Sequence, residues 1–188
     1  MTFSSEDYWI ERGASYRDKF RRNPAFAMQE RVLIDYLRTL TFGSVLEVGC
    51  GFGRITRLVQ DAFAPSRYTA FDLSSDQAAI AQDAVPEVLI EQGSLFKLDF
   101  VIPFDLVLAT EVLMHIEPAR LPEAIARLCS WGHNVVTVDW RVDPPPDTMA
   151  AHNFHHDYER LYAEHGSVET IAIGNGQAIF HCKPRVVG

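Results

Sequence analysis

The chain has 188 residues, 47% hydrophobic and 22% charged, which fits one globular domain and excludes a fibrous or disordered chain. Seventeen Lys and Arg against 25 Asp and Glu leave a net charge of −8, without the basic surplus of a nucleic-acid binder. No apolar run reaches the length of a membrane span, Met1 to Asp7 reads as neither signal nor transit peptide, and three scattered cysteines form no CxxC pair. The expectation is a reduced, cytoplasmic protein with no nucleic-acid and no membrane partner.

Tyr8 to Arg22 predicts a polar, aromatic-dotted helix. After the Asn23-Pro24 break, Met28, Val32, Leu33, Tyr36, Leu37 and Leu40 follow a helical period. Ser44 to Val48 reads as a short buried strand running into a glycine-rich turn. Ile55, Leu58, Val59 and Phe63 then mark one face of a helix. Tyr68 to Leu73 predicts a second strand, and Ser74-Ser75-Asp76 offers N-cap chemistry for a helix through Gln77 to Ala84. Glu87 to Ile90 and Phe104 to Ala109 read as the third and fourth strands. Leu121, Ala124, Ile125 and Leu128 mark a helix that Gly132 can end, and Asn134 to Val138 is a fifth strand. Asp143-Pro144-Pro145-Pro146-Asp147 must be a loop, because proline lacks the N–H that helices and ladders use. A short helix from Tyr158 to Glu164 precedes two β-rich runs, Val168 to Ile173 and Gln177 to Cys182, joined by Gly174-Asn175-Gly176 as an antiparallel hairpin.

Strands alternating with helices predict a doubly wound, Rossmann-like α/β fold. Its mostly parallel seven-stranded sheet ends in the C-terminal hairpin. The whole chain, 1–188, reads as one domain: residues 1–42 are a helical lid and cap, and residues 43–188 the core.

The most informative stretch is Val45 to Arg54, where a strand enters Gly49-Cys50-Gly51-Phe52-Gly53 and passes straight into a helix. Glycines there admit positive φ and let backbone approach a ligand beside the positive end of a helix. The G-x-G-x-G spacing differs from the G-x-G-x-x-G that seats a dinucleotide pyrophosphate. Asp72, at the end of the next strand, is placed to accept both hydroxyls of a ribose, or else only to cap the following helix. Glu47 inside the first strand is an expensive choice for a purely structural position.

Together these residues resemble the class I S-adenosylmethionine-dependent methyltransferases in their small stand-alone form. Glu47 to Gly53 matches that family's first motif, Asp72 in Phe71-Asp72-Leu73-Ser74 its second-strand acid, and Phe104 to Ile116 its fourth-strand motif. The terminal hairpin also matches. The resemblance implies S-adenosyl-L-methionine as cofactor, with Gly49, Cys50, Gly51 and Gly53 along its methionine part and Glu47 near its amino group. It also implies Asp72 on the ribose and Leu73 on the adenine. Ser94 and Leu95 stand where the family usually has an acid contacting the adenine, and Thr110 ends the fourth strand. Tyr16 or Trp9 on the N-terminal helix would sit against the sulfonium by cation–π attraction, or simply pack that helix down.

Methyl transfer to oxygen needs a proton acceptor, and histidine is the natural base near neutral pH. His115 follows the fourth strand. Ala151 to Tyr158 adds His156 and Asp157, although Asp157 is equally an N-cap. Loops at the carboxyl ends of parallel strands line the ligand crevice, so both segments are expected there. Asp139-Trp140 either lines an acceptor pocket or pairs Asp139 with Arg141. The Tyr8-Trp9…Arg12-Gly13…Tyr16 opening and the His152-Asn153-Phe154…His156-Asp157-Tyr158 run resemble small bacterial and archaeal methyltransferases. No second cluster with ligand spacing accompanies these histidines, so the reading carries no metal. The expected activity is O-methylation of a small polar acceptor such as a sugar or hydroxylated metabolite. The alternatives are N-methylation, another reaction of the same cofactor such as cyclisation, a non-catalytic cofactor-binding partner, and, more distantly, an NAD-binding protein.

Overall fold

The computed structural model describes residues 4–20, 25–141, 150–174 and 176–185; the side chains of residues 14, 16, 18–20 and 25 lie outside that description. Seven strands form one sheet in the order β3-β2-β1-β4-β5-β7-β6. They are β1 (Ser44–Val48), β2 (Arg67–Asp72), β3 (Leu89–Gln92), β4 (Phe104–Thr110), β5 (Gly132–Trp140), β6 (Gly166–Gly174) and β7 (Gln177–Pro184). The first five run parallel, and β7 pairs antiparallel with both β5 and β6. This is the doubly wound, Rossmann-like arrangement, with a C-terminal hairpin, that the alternating pattern predicts.

Helices cover both faces because strand side chains alternate. Val45, Leu106, Leu108, Val136 and Val138 face one core layer with α2 (Ala25–Leu37), α3 (Arg54–Phe63) and α4 (Ser75–Ala84). Leu46, Val48, Val107, Ala109 and Val135 face the other, under α5 (Leu121–Trp131) and α6 (Tyr158–Ala163). The strand order reverses between β1 and β4, so the loops after these strands diverge and leave a crevice at their carboxyl ends. The N-terminal helix α1 (Ser5–Phe20) lies over that crevice.

Three local expectations shift. The third strand sits two residues later than expected: it is an edge strand whose one buried residue, Ile90, gives almost no alternation. Gln82 fixes its start, accepting from Ile90 N and donating to Val88 O. Gly132 does not end α5 in a left-handed cap; it is extended, with φ −151°, and opens β5 directly. A Cβ there would stand 2.6 Å from Val107 Cγ2, so close approach, not turn geometry, selects glycine. Leu113–His115 forms a single 3₁₀ turn that the apolar pattern does not announce. The proline loop, the Asn23-Pro24 break, Arg21, Arg22 and Asn175 lie outside the described residues.

Asp105 ties the start of β4 to β1. Its Oδ2 accepts from Gly43 N (2.8 Å), Ser44 N (2.9 Å) and Ser44 Oγ (2.9 Å), and these bonds hold its carboxyl below the ordinary range. Asp105→Ala should therefore destabilise the fold by about 1–3 kcal/mol in chemical denaturation at neutral pH. A lowered folded pKa adds stability above the ordinary value of 3.8 and loses it as pH falls through the folded value, so the gap between variant and wild type should close in acid.

Candidate active site

The turn after β1 hangs from the end of β2. Gly49 N and Cys50 N both donate to Phe71 O, at 2.8 and 3.1 Å, and Gly51 N donates to Asp72 Oδ2 at 2.9 Å. Gly49, Gly51 and Gly53 have φ of 68°, 55° and 84°, in the left-handed region where a side chain is strained. A Cβ at Gly49 would also meet Val112 Cγ2 at 2.5 Å. Sequence chemistry and space thus require the same residue.

Asp72 is half-buried, and its Oδ1 accepts from Ser74 N at 2.9 Å. Burial pushes its carboxyl up, while the bonds from Ser74 and Gly51 pull the other way. Ser74 is itself the N-cap of α4, so Asp72 is not needed for that role. Glu47 is 3% exposed on β1. Its Oε2 accepts from Thr56 Oγ1 (2.7 Å) and Tyr68 Oη (2.8 Å), yet burial outweighs these bonds and raises its pKa to about 7.

Glu47, Gly49, Gly51 and Asp72 line one cavity with Cys50, Leu73, Ser94, Leu95, Thr110 and His115; Gly53, expected beside them, lies outside it and packs against Ala81 of α4, which corrects that expectation. Ser94 Oγ accepts from Phe96 N at 3.2 Å, and Arg127 Nε donates to the Leu95 carbonyl at 2.8 Å, which shapes the turn after β3. Thr110 Oγ1 and Gln77 Oε1 are buried on the wall with no hydrogen-bond partner among the described residues. Gln77, Phe26, Arg54, Glu111 and Arg120 also line the cavity; sequence spacing alone does not single them out. Glu111 is strained, with φ 58°, at a cost of about 1–3 kcal/mol.

The helix α1 closes the cavity from above. At one end Ser5 Oγ donates to the His115 carbonyl, Ser5 N to Glu117 Oε1 at 3.3 Å, and Glu6 pairs with Arg120 at 2.8 Å. At the other, Gln77 Nε2 donates to the Gly13 carbonyl, and Gly13 lies so near Ser74 that a Cβ would overlap its Oγ. Between them Trp9 sits 4.5 Å from the His115 ring. Tyr16 is on this helix, but its side chain lies outside the described residues.

His115 reaches the cavity wall; His156 and Asp157 do not, which corrects the expected crevice grouping. His115 Nδ1 meets the His152 carbonyl at 2.9 Å, Phe154 N donates to the Met114 carbonyl at 2.8 Å, and His156 Nε2 meets the Ile116 carbonyl at 3.0 Å. The His152–His156 run is thus a clamp on the turn after β4, and His156 spends its ring on backbone. Asp157 is the exposed N-cap of α6, its Oδ1 accepting from Arg160 N at 3.1 Å. Burial lowers the His115 pKa to about 4 against the opposing pull of the His152 carbonyl. Asp139 neither lines the cavity nor pairs with Arg141: it is fully buried and accepts from Met114 N at 3.1 Å, holding the same turn.

A sheet with a reversed hairpin, a glycine turn braced by an acid on β2, and a cavity at the β1/β4 switch make up a Rossmann-like fold shared with methyltransferases. Residues 45–132 match the family model described as a methyltransferase domain. It is 29% identical over 93 residues to an uncharacterized methyltransferase of Staphylococcus carnosus, covering 50% of this chain and 44% of the relative. A second, from Bacillus cytotoxicus, is 30% identical over 118 residues, covering 61% and 54%. The chain thus spans about half the length of the curated relatives it matches. DhpI in complex with SAH superposes with a TM-score of 0.78 at 22% identity, covering 97% of this chain and 96% of that one. Magnesium protoporphyrin IX methyltransferase from Synechocystis PCC 6803, with bound SAM, gives 0.77 at 16% identity, covering 98% and 99%. The N-methyltransferase NodS from Bradyrhizobium japonicum gives 0.75 at 15% identity, covering 96% and 99%. These likenesses establish the fold, and the acceptors implied by their names differ.

The raised pKa of Glu47 gives a direct test. Between its ordinary value of 4.5 and about 7 the unfolded chain releases this proton while the folded chain keeps it, so folding loses stability as pH rises through that window. Glu47→Gln keeps an acceptor for Thr56 and Tyr68 without the charge. Its melting temperature should gain on wild type from about pH 4.5 to about pH 7 and hold a constant advantage above.

Proposed function

We propose that the chain binds S-adenosylmethionine in this cavity and methylates an oxygen of a small polar acceptor, a sugar or another hydroxylated metabolite. Asp72 carries the cofactor reading. Each of its carboxylate oxygens accepts one backbone N–H and keeps a lone pair, which suits the two adjacent hydroxyls of a ribose. Leu73 would pack on the adenine, with Ser94 and Leu95 at its edge. Gly49 and Gly51, with Cys50, bring bare backbone to the methionine part, and Thr110 Oγ1 and Gln77 Oε1 are buried polar atoms that a ligand would satisfy. Glu47, Asp72 and Glu111 together favour a cation. Solved neighbours holding SAM or SAH support the same reading.

Bound S-adenosylmethionine supplies an electrophilic methyl on a positive sulfur. The chain's own contribution is to position the acceptor and exclude water. The helix α1 acts as the lid, while α2 packs into the core; Trp9 closes the acceptor end, and Tyr16 is the other candidate against the sulfonium. Ser5, Glu6, Glu117 and Arg120 at this end are polar enough to seat a hydroxylated molecule.

His115 supports the oxygen reading. Donating Nδ1–H to the His152 carbonyl fixes the tautomer and leaves the lone pair on Nε2. A base with a pKa of about 4 does not strip an alcohol in advance. A hydroxyl oxygen becomes far more acidic as it gains the methyl, and its proton then passes readily to such a base. Glu6 and Glu117 also suit a cationic amine, which favours N-methylation as the second reading.

Asp72→Ala should weaken S-adenosylmethionine binding by about 1–3 kcal/mol in calorimetry, through lost charge-assisted bonds; unchanged affinity in a folded variant removes Asp72 from the ribose. His115→Ala should leave that affinity within about twofold while slowing methyl transfer by about 100-fold or more. With His115 as the base, the wild-type rate stays flat at neutral pH and falls only as pH drops through about 4. A rate that climbs steadily into alkaline pH instead marks an amine acceptor losing its own proton.

A further inference from the structure

Four side chains close a ring of three hydrogen bonds and one ion pair, of which Arg54 and Glu111 line the cavity. Arg54 Nη2 donates to Gln29 Oε1 at 2.8 Å and faces Glu111 Oε2 at 3.5 Å. Gln29 Nε2 donates to Gln177 Oε1 at 3.2 Å, and Gln177 Nε2 donates to Glu111 Oε1 at 2.7 Å. Arg54 can only donate and ionised Glu111 can only accept, so these two poles force both amides into a single orientation. The ring joins α2, the start of α3, the residue after β4 and the first residue of β7.

Glu111 occupies a left-handed backbone conformation that glycine adopts without strain. The chain nonetheless keeps a carboxylate there, next to Val112, which abuts Gly49. Arg54 is shared between Glu111 and Glu30, the latter at 3.0 Å, so two carboxylates face one guanidinium and the wall stays negative. A strained, aimed carboxylate in an acidic wall beside the glycine turn suits a cationic amino group on the ligand.

We propose that Gln177 is a positioning residue that holds Glu111 as the counter-ion of the cofactor's ammonium group. This rests on the reading of the cavity as an S-adenosylmethionine site. The terminal hairpin then does more than complete the sheet: its first side chain sets the geometry of the methionine subsite.

The full chain should be titrated with S-adenosylhomocysteine and with 5′-methylthioadenosine, which keeps the adenosine and sulfur but lacks the amino-acid end. Gln177→Met is nearly isosteric and removes the amide. It should raise the Kd for S-adenosylhomocysteine about tenfold and change that for 5′-methylthioadenosine by less than about twofold. Gln177→Glu keeps the acceptor for Gln29 but opposes Glu111 with a second carboxylate, and should weaken the same ligand at least as much. Glu111→Gly relieves the backbone, so its melting temperature should equal or exceed that of wild type while S-adenosylhomocysteine affinity falls about tenfold. Equal losses for both ligands in Gln177→Met indicate a merely structural part and overturn the proposal, as does unchanged S-adenosylhomocysteine affinity. Wild type binding neither ligand overturns the cofactor reading, and this proposal with it; wild type binding both leaves the proposal to stand or fall on the variants alone.

Discussion

The end of β2 holds the turn that follows β1, and the cavity depends on that one junction. The Phe71 carbonyl takes the N–H groups of Gly49 and Cys50, the Asp72 side chain takes that of Gly51, and the Asp72 carbonyl takes that of Gly93. Two residues thus fix the loops after β1 and β3 against each other, and Ser74 N binds the same carboxylate to start α4. Partnered in this way, a half-buried carboxylate is tolerated, and the remaining lone pairs of Asp72 stay available to the cavity.

A second junction forms on the other side of the crevice. The turn after β4 is held from below by Asp139, from the side by the His152–His156 run, and from above by Ser5 of α1. His115 therefore sits in a braced, half-buried position, and its depressed pKa follows from that burial. The lid and the proposed base share one short segment: Ser5 bonds the carbonyl of the residue whose ring lines the cavity. Any movement of α1 that admits a ligand must break that bond, the Glu6–Arg120 pair and the Gly13 contact with α4 together.

Much of this was legible in the sequence where the determinant was local. The strand–glycine–helix junction, the acid ending β2, the Ser74 cap and the hairpin each depend on a few adjacent residues whose chemistry is specific. The nearly continuous apolar run of β4 told that this strand is covered on both faces. What stayed hidden depends on chain separation. Gln177 meets Glu111, and Arg120 meets Glu6, only after the sheet order is set. His156 and Asp157 sit in a histidine-rich run that reads as chemistry, yet His156 pairs with the Ile116 carbonyl and Asp157 caps a helix. Residue type suggested function there, and only the path of the chain shows that these groups turn to backbone.

The most direct test is calorimetric titration of the purified chain with S-adenosylmethionine, S-adenosylhomocysteine and NAD. Micromolar binding of the first two with no heat from NAD is the expected result, since the G-x-G-x-G turn braced by Asp72 suits an adenosine with an amino-acid tail and not a pyrophosphate. Binding of NAD alone would contradict the assignment of the cavity and of every residue placed around it.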